Sequence, residues 1–151
     1  MVDDAFLARI SELAGNPKEV LRLTIDRLGA ETGTIHRLGP DGLLHLEAMA
    51  GNIPSELLPM IQRIPVGKGI AGLAVERKTP VDLCNLQTDN SGAARPGARQ
   101  TGVKGSICVP IMDAERAVGA LGIGTGEERQ FRDEETQLLL AVGRILGAQS
   151  P

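Results

Sequence analysis

Apolar residues recur at two different spacings along the chain, and each spacing predicts a type of element. Intervals of three and four residues over residues 3–14 predict an amphipathic helix. A second helix is predicted after Asn16, because Asn-Pro-Lys-Glu offers an N-cap followed by proline at the first helical position. A terminal helix is predicted from Asp133, where three consecutive acids suit a helix N-terminus.

Strictly alternating positions predict two β-hairpins. In the first, strands over 32–38 and 43–50 flank the turn Gly39-Pro-Asp-Gly42, and alternation places Leu44, Leu46 and Ala48 on one face. In the second, strands over 103–112 and 117–125 flank a turn at Asp113.

Shorter elements fill the space between the hairpins. Residues 54–61 and 70–76 suit short helices, and residues 80–83 suit a short strand. The whole order predicts an α+β protein built around one antiparallel sheet.

Three runs rich in glycine and small apolar residues lie in the second half of the chain. They are Val66-Gly-Lys-Gly-Ile-Ala-Gly-Leu-Ala-Val75, Ser106-Ile-Cys-Val-Pro-Ile111 and Val118-Gly-Ala-Leu-Gly-Ile123. In this order and spacing the chain resembles the GAF domain family from near Pro17 to its end. The resemblance implies a central six-stranded antiparallel sheet, related to the profilin and PAS folds. It places the terminal helices on one face and short helices with a long loop on the other.

Composition narrows the classes of partner. A chain of 151 residues is predicted to form one GAF-like domain over 1–151, with 1–15 as an N-terminal helical extension. The net charge of −3 gives no electrostatic reason to expect nucleic acid or an anionic membrane. Phe6 and Phe131 are the only aromatic residues, too few to stack single-stranded nucleic acid. The acidic start and the lack of long apolar runs predict a cytoplasmic location.

Gly67, Gly69 and Gly72 match the dinucleotide-binding pattern G-x-G-x-x-G. That fingerprint requires a preceding hydrophobic strand, a full helix and a parallel strand, whereas here the helix is short and hairpins dominate. The glycines are therefore predicted to permit a tight turn from Pro65 and close packing of the following helix.

Cys84 and Cys108 are the only candidates for thiol chemistry. The free methionine-(R)-sulfoxide reductases, an enzyme family that resembles GAF domains, carry a cysteine where this chain has Ala71. Their Ala-Cys-Asp motif would fall in the long loop, which here reads Ala-Arg-Pro-Gly-Ala-Arg. The chain is therefore predicted not to be an enzyme, with a thiol reductase kept as an alternative.

Two further sites are considered and not adopted. His36 and His45 lie on neighbouring predicted strands, but without the close spacing of a metal motif, so no metal or cofactor is predicted. Phe131, Asp133 and Glu134 echo a signature of cyclic-nucleotide-binding GAF domains. Since Gly126-Glu-Glu-Arg129 replaces the Asn-Lys of that signature, Phe131 is predicted to be a core anchor.

The polar stretch over 85–101 is longer than most connections, and its segment Asn85–Arg99 is the preferred ligand lid. Its arginines could hold a carboxylate or phosphate, and alternation on the next strand lets Ser106 and Cys108 line a pocket. A solvated loop whose arginines pair with surface acids remains the alternative. The predicted ligand-binding residues are Asn85, Asp89, Arg95, Arg99, Ser106 and Cys108.

The predicted function is that of a sensory domain in signal transduction. It would bind a small polar or anionic molecule, form a homodimer through its terminal helices and act on a signalling partner. A dimerisation and signal-relay module without a ligand is the alternative from another class, because Leu138, Val142 and Ile145 suit a helix-to-helix seam as well as a monomer core.

Overall fold

The computed structural model describes residues 3–88, 91 and 102–149. Its helices are α1 (Asp4–Glu12), α2 (Pro17–Leu28), α3 (Leu58–Ile61), α4 (Gly69–Arg77) and α5 (Asp133–Gly147), with a 3-10 turn at Ser55–Leu57. Its strands are β1 (Thr32–Leu38), β2 (Leu43–Ala50), β3 (Arg63–Pro65), β4 (Val81–Leu83), β5 (Gly105–Asp113) and β6 (Arg116–Thr125). Among the described residues, no helix is long and apolar enough to cross a membrane.

The six strands form one antiparallel sheet in the order β3-β2-β1-β6-β5-β4. The two predicted hairpins, β1–β2 and β5–β6, lie side by side through the β1–β6 pairing. The predicted α+β class, with six antiparallel strands between two helical layers, is confirmed.

Local sequence explains where the second helix begins and ends. The Asn16 carboxamide oxygen accepts a hydrogen bond from the Glu19 amide at 3.4 Å, and Pro17 occupies the first turn. Gly29 ends the helix at a φ of 64°, a left-handed conformation that glycine adopts without steric cost. The N-cap predicted from Asn-Pro-Lys-Glu is therefore confirmed.

The predicted alternation in the second strand is wrong beyond Leu46. Ile35 pairs with Ala48 while His36 pairs with Leu46, so β2 carries a bulge at Glu47. The extra residue reverses the alternation: Leu44 packs against α4, whereas Ala48 joins the core on the opposite face. One inserted residue is enough to change faces, since side chains alternate with a period of two.

The edge strand β3 is an element that the pattern did not predict. Arg63–Pro65 pairs with Leu43–His45 of β2. Three residues are too few to establish an alternation, so only the resemblance to a six-stranded family pointed to another strand.

The two faces of the sheet carry separate apolar clusters. Residues of α1, α2 and α5 pack with Ile35, Ile107 and Leu121 on one face. Residues of α4 pack with Leu44, Cys108 and Ala120 on the other. The predicted layering of the terminal helices is confirmed, and the candidate site lies on the α4 face.

Candidate functional site

A cavity of about 160 Å³ lies between the sheet and the first turn of α4. Its lining is mainly apolar, with a few hydroxyl groups, one thiol and one imidazole. The residues that line it are Thr32, Gly33, Thr34, His36, Ile53, Met60, Ile61, Ile64, Lys68, Gly69, Ile70, Ala71, Leu86, Val103, Ser106, Cys108, Gly122, Ile123 and Gly124. An apolar concavity with a few polar groups is the usual form of a small-molecule site.

Two glycines on β6 form part of the wall that the sheet contributes. Gly122 lies between Thr34 and Cys108, and Gly124 lies between Thr32 and Ser106, in two rows that cross three strands. A Cβ atom at position 122 would lie 2.7 Å from the Cys108 sulfur, and one at position 124 would lie 2.8 Å from the Thr32 hydroxyl oxygen.

The first turn of α4 closes over the sheet because of the glycines before and within it. Gly67 and Gly69 have φ values of 88° and 66°, which disfavour other residues. A Cβ atom at Gly72 would lie 2.5 Å from the Pro65 carbonyl oxygen. The predicted role of these glycines, a tight turn and close helix packing, is confirmed.

His36 is the most deeply buried polar side chain of the lining, with 2% of its surface exposed. Its Nε2 lies 2.7 Å from the Ile61 carbonyl oxygen, so this nitrogen carries a proton and donates. Burial lowers the pKa of the imidazole, which is therefore neutral near pH 7, although the Ile61 contact opposes the shift. Nδ1 is then an acceptor, and it has no hydrogen-bond partner among the described residues.

The structure brings together two of the six predicted ligand-binding residues. Ser106 and Cys108 both line the cavity, as the alternation on their strand predicted. Asn85 does not line it: its carboxamide donates to Glu128 at 3.0 Å and accepts from the Gln87 amide at 3.0 Å. Asp89, Arg95 and Arg99 lie outside the described residues.

The two thiols have different environments. Cys108 is buried, and desolvation raises its pKa to about 12, so at neutral pH it is an unreactive thiol. Cys84 is exposed. Val81 of β4 is the residue opposite Cys108 on β5. Cys84 follows Val81 by three residues, so it lies roughly 10 Å along the sheet from the position opposite Cys108. Thiols that far apart do not form a disulfide without backbone movement.

The remaining candidate residues have separate structural contacts. His45 bonds to Asp41 at 2.8 Å, whereas His36 bonds to Ile61. Phe131 packs in the core on the α1–α5 face with the Arg129 guanidinium 4.8 Å from its ring centre, which confirms the predicted core anchor. No group of three or more potential metal ligands occurs among residues 3–88, 91 and 102–149.

Sequence reasoning did not identify the polar residues that β1 contributes to the cavity. Thr32, Thr34 and His36 alternate with Gly33 and Ile35, so they share one face of the strand. That alternation could have identified these residues, because a polar face opposite a buried isoleucine indicates either the lining of a site or a solvent-exposed surface.

An antiparallel sheet with a small cavity beneath α4 is typical of an α+β domain of the small-molecule-binding class. The GAF domain family model matches residues 16–148, and the chain belongs to that family. No curated protein matches the sequence significantly.

Solved structures with the same fold include both GAF domains and enzymes. The GAF domain of an Acinetobacter phosphoenolpyruvate-protein phosphotransferase is 19% identical with a TM-score of 0.76, over 94% of this chain and 88% of that one. The corresponding domain from Coxiella burnetii is 24% identical with a TM-score of 0.73, over 95% and 89%. The free methionine-R-sulfoxide reductase of Neisseria meningitidis is 17% identical with a TM-score of 0.77, over 94% and 84%. At these identities the similarity establishes the fold alone.

Proposed function

We propose that this chain is a small-molecule-binding sensory domain that acts in signal transduction without catalytic activity of its own. The observation that carries the proposal is the cavity of about 160 Å³ between the sheet and α4. Its apolar lining offers a ligand a favourable transfer from water, and its few polar groups supply orientation.

The thiol environments favour a binding domain over a thiol reductase. A cysteine nucleophile reacts as the thiolate, and burial keeps Cys108 protonated in the cavity wall. Ala71 lines the cavity at the position where the reductases resembled by this chain carry a cysteine. Cys84 is exposed and contributes nothing to the lining.

The test is a thermal-shift screen of small metabolites with a variant that fills the cavity. Thr34→Leu adds apolar volume where Thr34 lines the cavity, and Thr79→Leu makes the same change at an exposed turn. A ligand should raise the melting temperature of the parent protein and of Thr79→Leu, but not of Thr34→Leu. A ligand that shifts all three proteins equally binds elsewhere and contradicts the proposal.

The lid part of the proposal has its own test. Arg95 and Arg99 would hold an anionic group of the ligand, Asp89 would orient it, and Ser106 and Cys108 would line the floor. Asn85 was predicted to help orient the ligand, but its carboxamide pairs with Glu128 and Gln87 outside the cavity, so it has no part in this proposal. Arg95→Ala or Arg99→Ala should weaken binding of an anionic ligand and leave a neutral one unchanged, since a lost ion pair affects only a charged partner. Equal affinities for the anionic ligand in both variants and the parent would remove the lid from the site.

We also propose a cytoplasmic homodimer that pairs through the terminal helices and acts on a signalling partner. Leu138 and Val142 are buried within the monomer, so the seam would have to use half-buried residues such as Leu140 and Ile145. Ile145→Arg should convert a dimer to a monomer in sedimentation velocity, whereas Leu38→Arg, at the exposed end of β1, should not. A concentration-independent monomer in the parent protein would exclude the homodimer.

A further inference from the structure

The cavity beneath α4 has an inner wall and an opening, and both are mainly aliphatic. The apolar side chains of the inner wall are buried: Ile64, Ala71, Leu86, Cys108 and Ile123. Five further apolar side chains of the lining are half-buried: Ile53, Met60, Ile61, Ile70 and Val103. Lys68, in the same lining, is exposed and marks where the cavity meets solvent. Apolar surface therefore continues from the inner wall to the opening.

The inner wall carries no charge at neutral pH. Burial raises the pKa of the Cys108 thiol to about 12 and lowers the pKa of the His36 imidazole, so both groups are neutral. Lys68 is the only charged side chain among the described lining residues. Burying a ligand charge against the inner wall would be costly, because no opposite charge lies there. A charged group of the ligand would therefore remain at the opening.

The polar groups of the lining leave most of the selectivity to apolar contact. The Ser106 hydroxyl donates to the Ile123 carbonyl oxygen at 3.5 Å, and His36 Nε2 donates to the Ile61 carbonyl oxygen. The hydroxyls of Thr32 and Thr34 can each donate and accept, so they do not select one kind of polar group.

Size and shape indicate an aliphatic tail of limited length. The volume of about 160 Å³ is close to that of the apolar cavities of about 150 Å³ that accept benzene, which has six carbon atoms. Phe6 and Phe131 both belong to the cluster on the other face of the sheet, so the lining offers a ring no aromatic partner. Met60 is an unbranched and adaptable side chain that can follow the shape of a flexible chain.

We infer that the ligand is a small amphipathic molecule whose uncharged aliphatic end, about six carbon atoms long, fills the cavity while any charged group stays at the opening. This inference rests on the proposed binding function and names the chemical class of the ligand. The sequence predicted a small polar or anionic molecule and gave no reason to expect an aliphatic end.

Straight-chain carboxylates from butanoate to decanoate test the inference on the unaltered protein. Amide chemical shifts, followed by NMR during titration of the full chain, give each affinity. Each added methylene group that enters the cavity should tighten binding about four-fold. The gain should level off once the tail exceeds the roughly six carbons that the cavity holds.

Adipate separates an apolar inner wall from a polar one. It has six carbons like hexanoate but carries a carboxylate at both ends, so one charge would have to enter the cavity. Adipate should bind at least about ten-fold more weakly than hexanoate, because that charge would have no partner. Equal affinities for the two would overturn the inference, and so would an affinity that does not depend on tail length.

One variant locates the aliphatic end. Ala71→Val adds two methyl groups to the inner wall, so the affinity should level off at a shorter tail than in the parent protein. Ala148→Val makes the same change at the exposed residue after α5 and should leave the series unchanged. An unchanged series in Ala71→Val would place the tail outside this cavity and overturn the inference.

The outcomes separate this inference from the proposed function. If no alkyl carboxylate binds but the metabolite screen finds a ligand blocked by Thr34→Leu, the ligand class is wrong and the binding function stands. If Thr34→Leu blocks nothing, the binding function itself fails.

Discussion

His36 illustrates how a single residue combines a structural and a candidate binding role. Its Nε2–H holds the Ile61 carbonyl, and so ties β1 to the end of α3 beside the cavity. Its other nitrogen remains unpaired among the described residues. The same burial that makes this arrangement specific also keeps the ring uncharged.

The lowered pKa of His36 predicts an acid-sensitive stability. As the pH drops below 6.5, the ordinary pKa of histidine, the unfolded chain takes up a proton before the folded chain does. The free energy of unfolding should therefore decrease as the pH decreases, until the pH is below the folded pKa. His36→Gln preserves an N–H for the Ile61 carbonyl and lacks this contribution. Urea denaturation between pH 7 and 5 should show a steeper decline for the parent and for His45→Gln. Parallel profiles for the parent and His36→Gln would contradict the prediction.

Gly72 is predicted to tolerate no side chain. A Cβ atom there would lie 2.5 Å from the Pro65 carbonyl oxygen and 3.0 Å from the Gly67 nitrogen, both of them backbone atoms. Gly72→Ala should therefore lower the free energy of unfolding by about 1–3 kcal/mol, despite the higher helix propensity of alanine. Gly15→Ala, in open space, should change it little. Chemical denaturation measures both, and equal stabilities would show that α4 shifts without cost.

At the scale of elements, the N-terminus of α5 is held by a small network. Glu135 accepts a hydrogen bond from the Arg132 amide at 2.9 Å and pairs with Arg129. Arg129 also donates to the Gly29 carbonyl oxygen, and its own amide donates to the Cys84 carbonyl oxygen at 3.0 Å. The network therefore connects α5 to the end of α2 and to the end of β4.

Replacing Glu135 should release that connection. Burial raises the pKa of its carboxyl, but the Arg132 amide and the Arg129 guanidinium outweigh burial and lower it below 4.5. Glu135→Gln should cost about 1–3 kcal/mol of unfolding free energy at pH 7. The difference should narrow as the pH falls through the folded pKa, because the parent carboxyl then becomes neutral too.

Glu134→Gln is the matched control for this change. Its side chain is 72% exposed, and its one ion pair among the described residues is with the equally exposed Arg132 at 3.2 Å, so little stability should be lost. Denaturation curves of the parent and both variants at pH 7 and pH 3 give the six values needed. A constant difference between the parent and Glu135→Gln would mean that the charge of Glu135 contributes nothing.

At the scale of the whole molecule, the two cysteines should differ in their reactivity toward an alkylating reagent. Iodoacetamide at pH 8 should modify one thiol of the folded protein, the exposed Cys84, and reach Cys108 only in denaturant. Cys84→Ser should incorporate no label while folded, as mass spectrometry would show. Rapid labelling of that variant would show that Cys108 is accessible, and a thiol reductase would again be a candidate function.

A separate activity test addresses catalysis directly. If the protein reduces free methionine sulfoxide and still does so in both Cys84→Ser and Cys108→Ser, cysteine catalysis is excluded.

Elements with a long repeated pattern could be predicted from sequence, whereas exceptions within them could not. The first strand is found at 32–38 as predicted, because seven residues of alternation and a strong turn define it. The bulge at Glu47 has no local signature, since it reflects the register that β2 adopts against β1. β3 depends likewise on pairing with an existing edge.

The candidate site divides in the same way. Alternation placed Ser106 and Cys108 on one face, and the structure puts both in the cavity wall. Nothing local could show that Gly122 and Gly124 lie between them and the threonines of β1, because that neighbourhood requires β6 to pair with both strands at once.

By itself, the sequence determined the helix starts, the two hairpins and the α+β class, since caps, turns and periodicity act between residues close in the chain. Tertiary structure decided which face of each strand meets which helix, where the bulge reverses that face, and that a cavity opens beside α4. Those features arise from contacts between segments distant in sequence. A local pattern of residues does not specify which distant segment of the chain will pack against it.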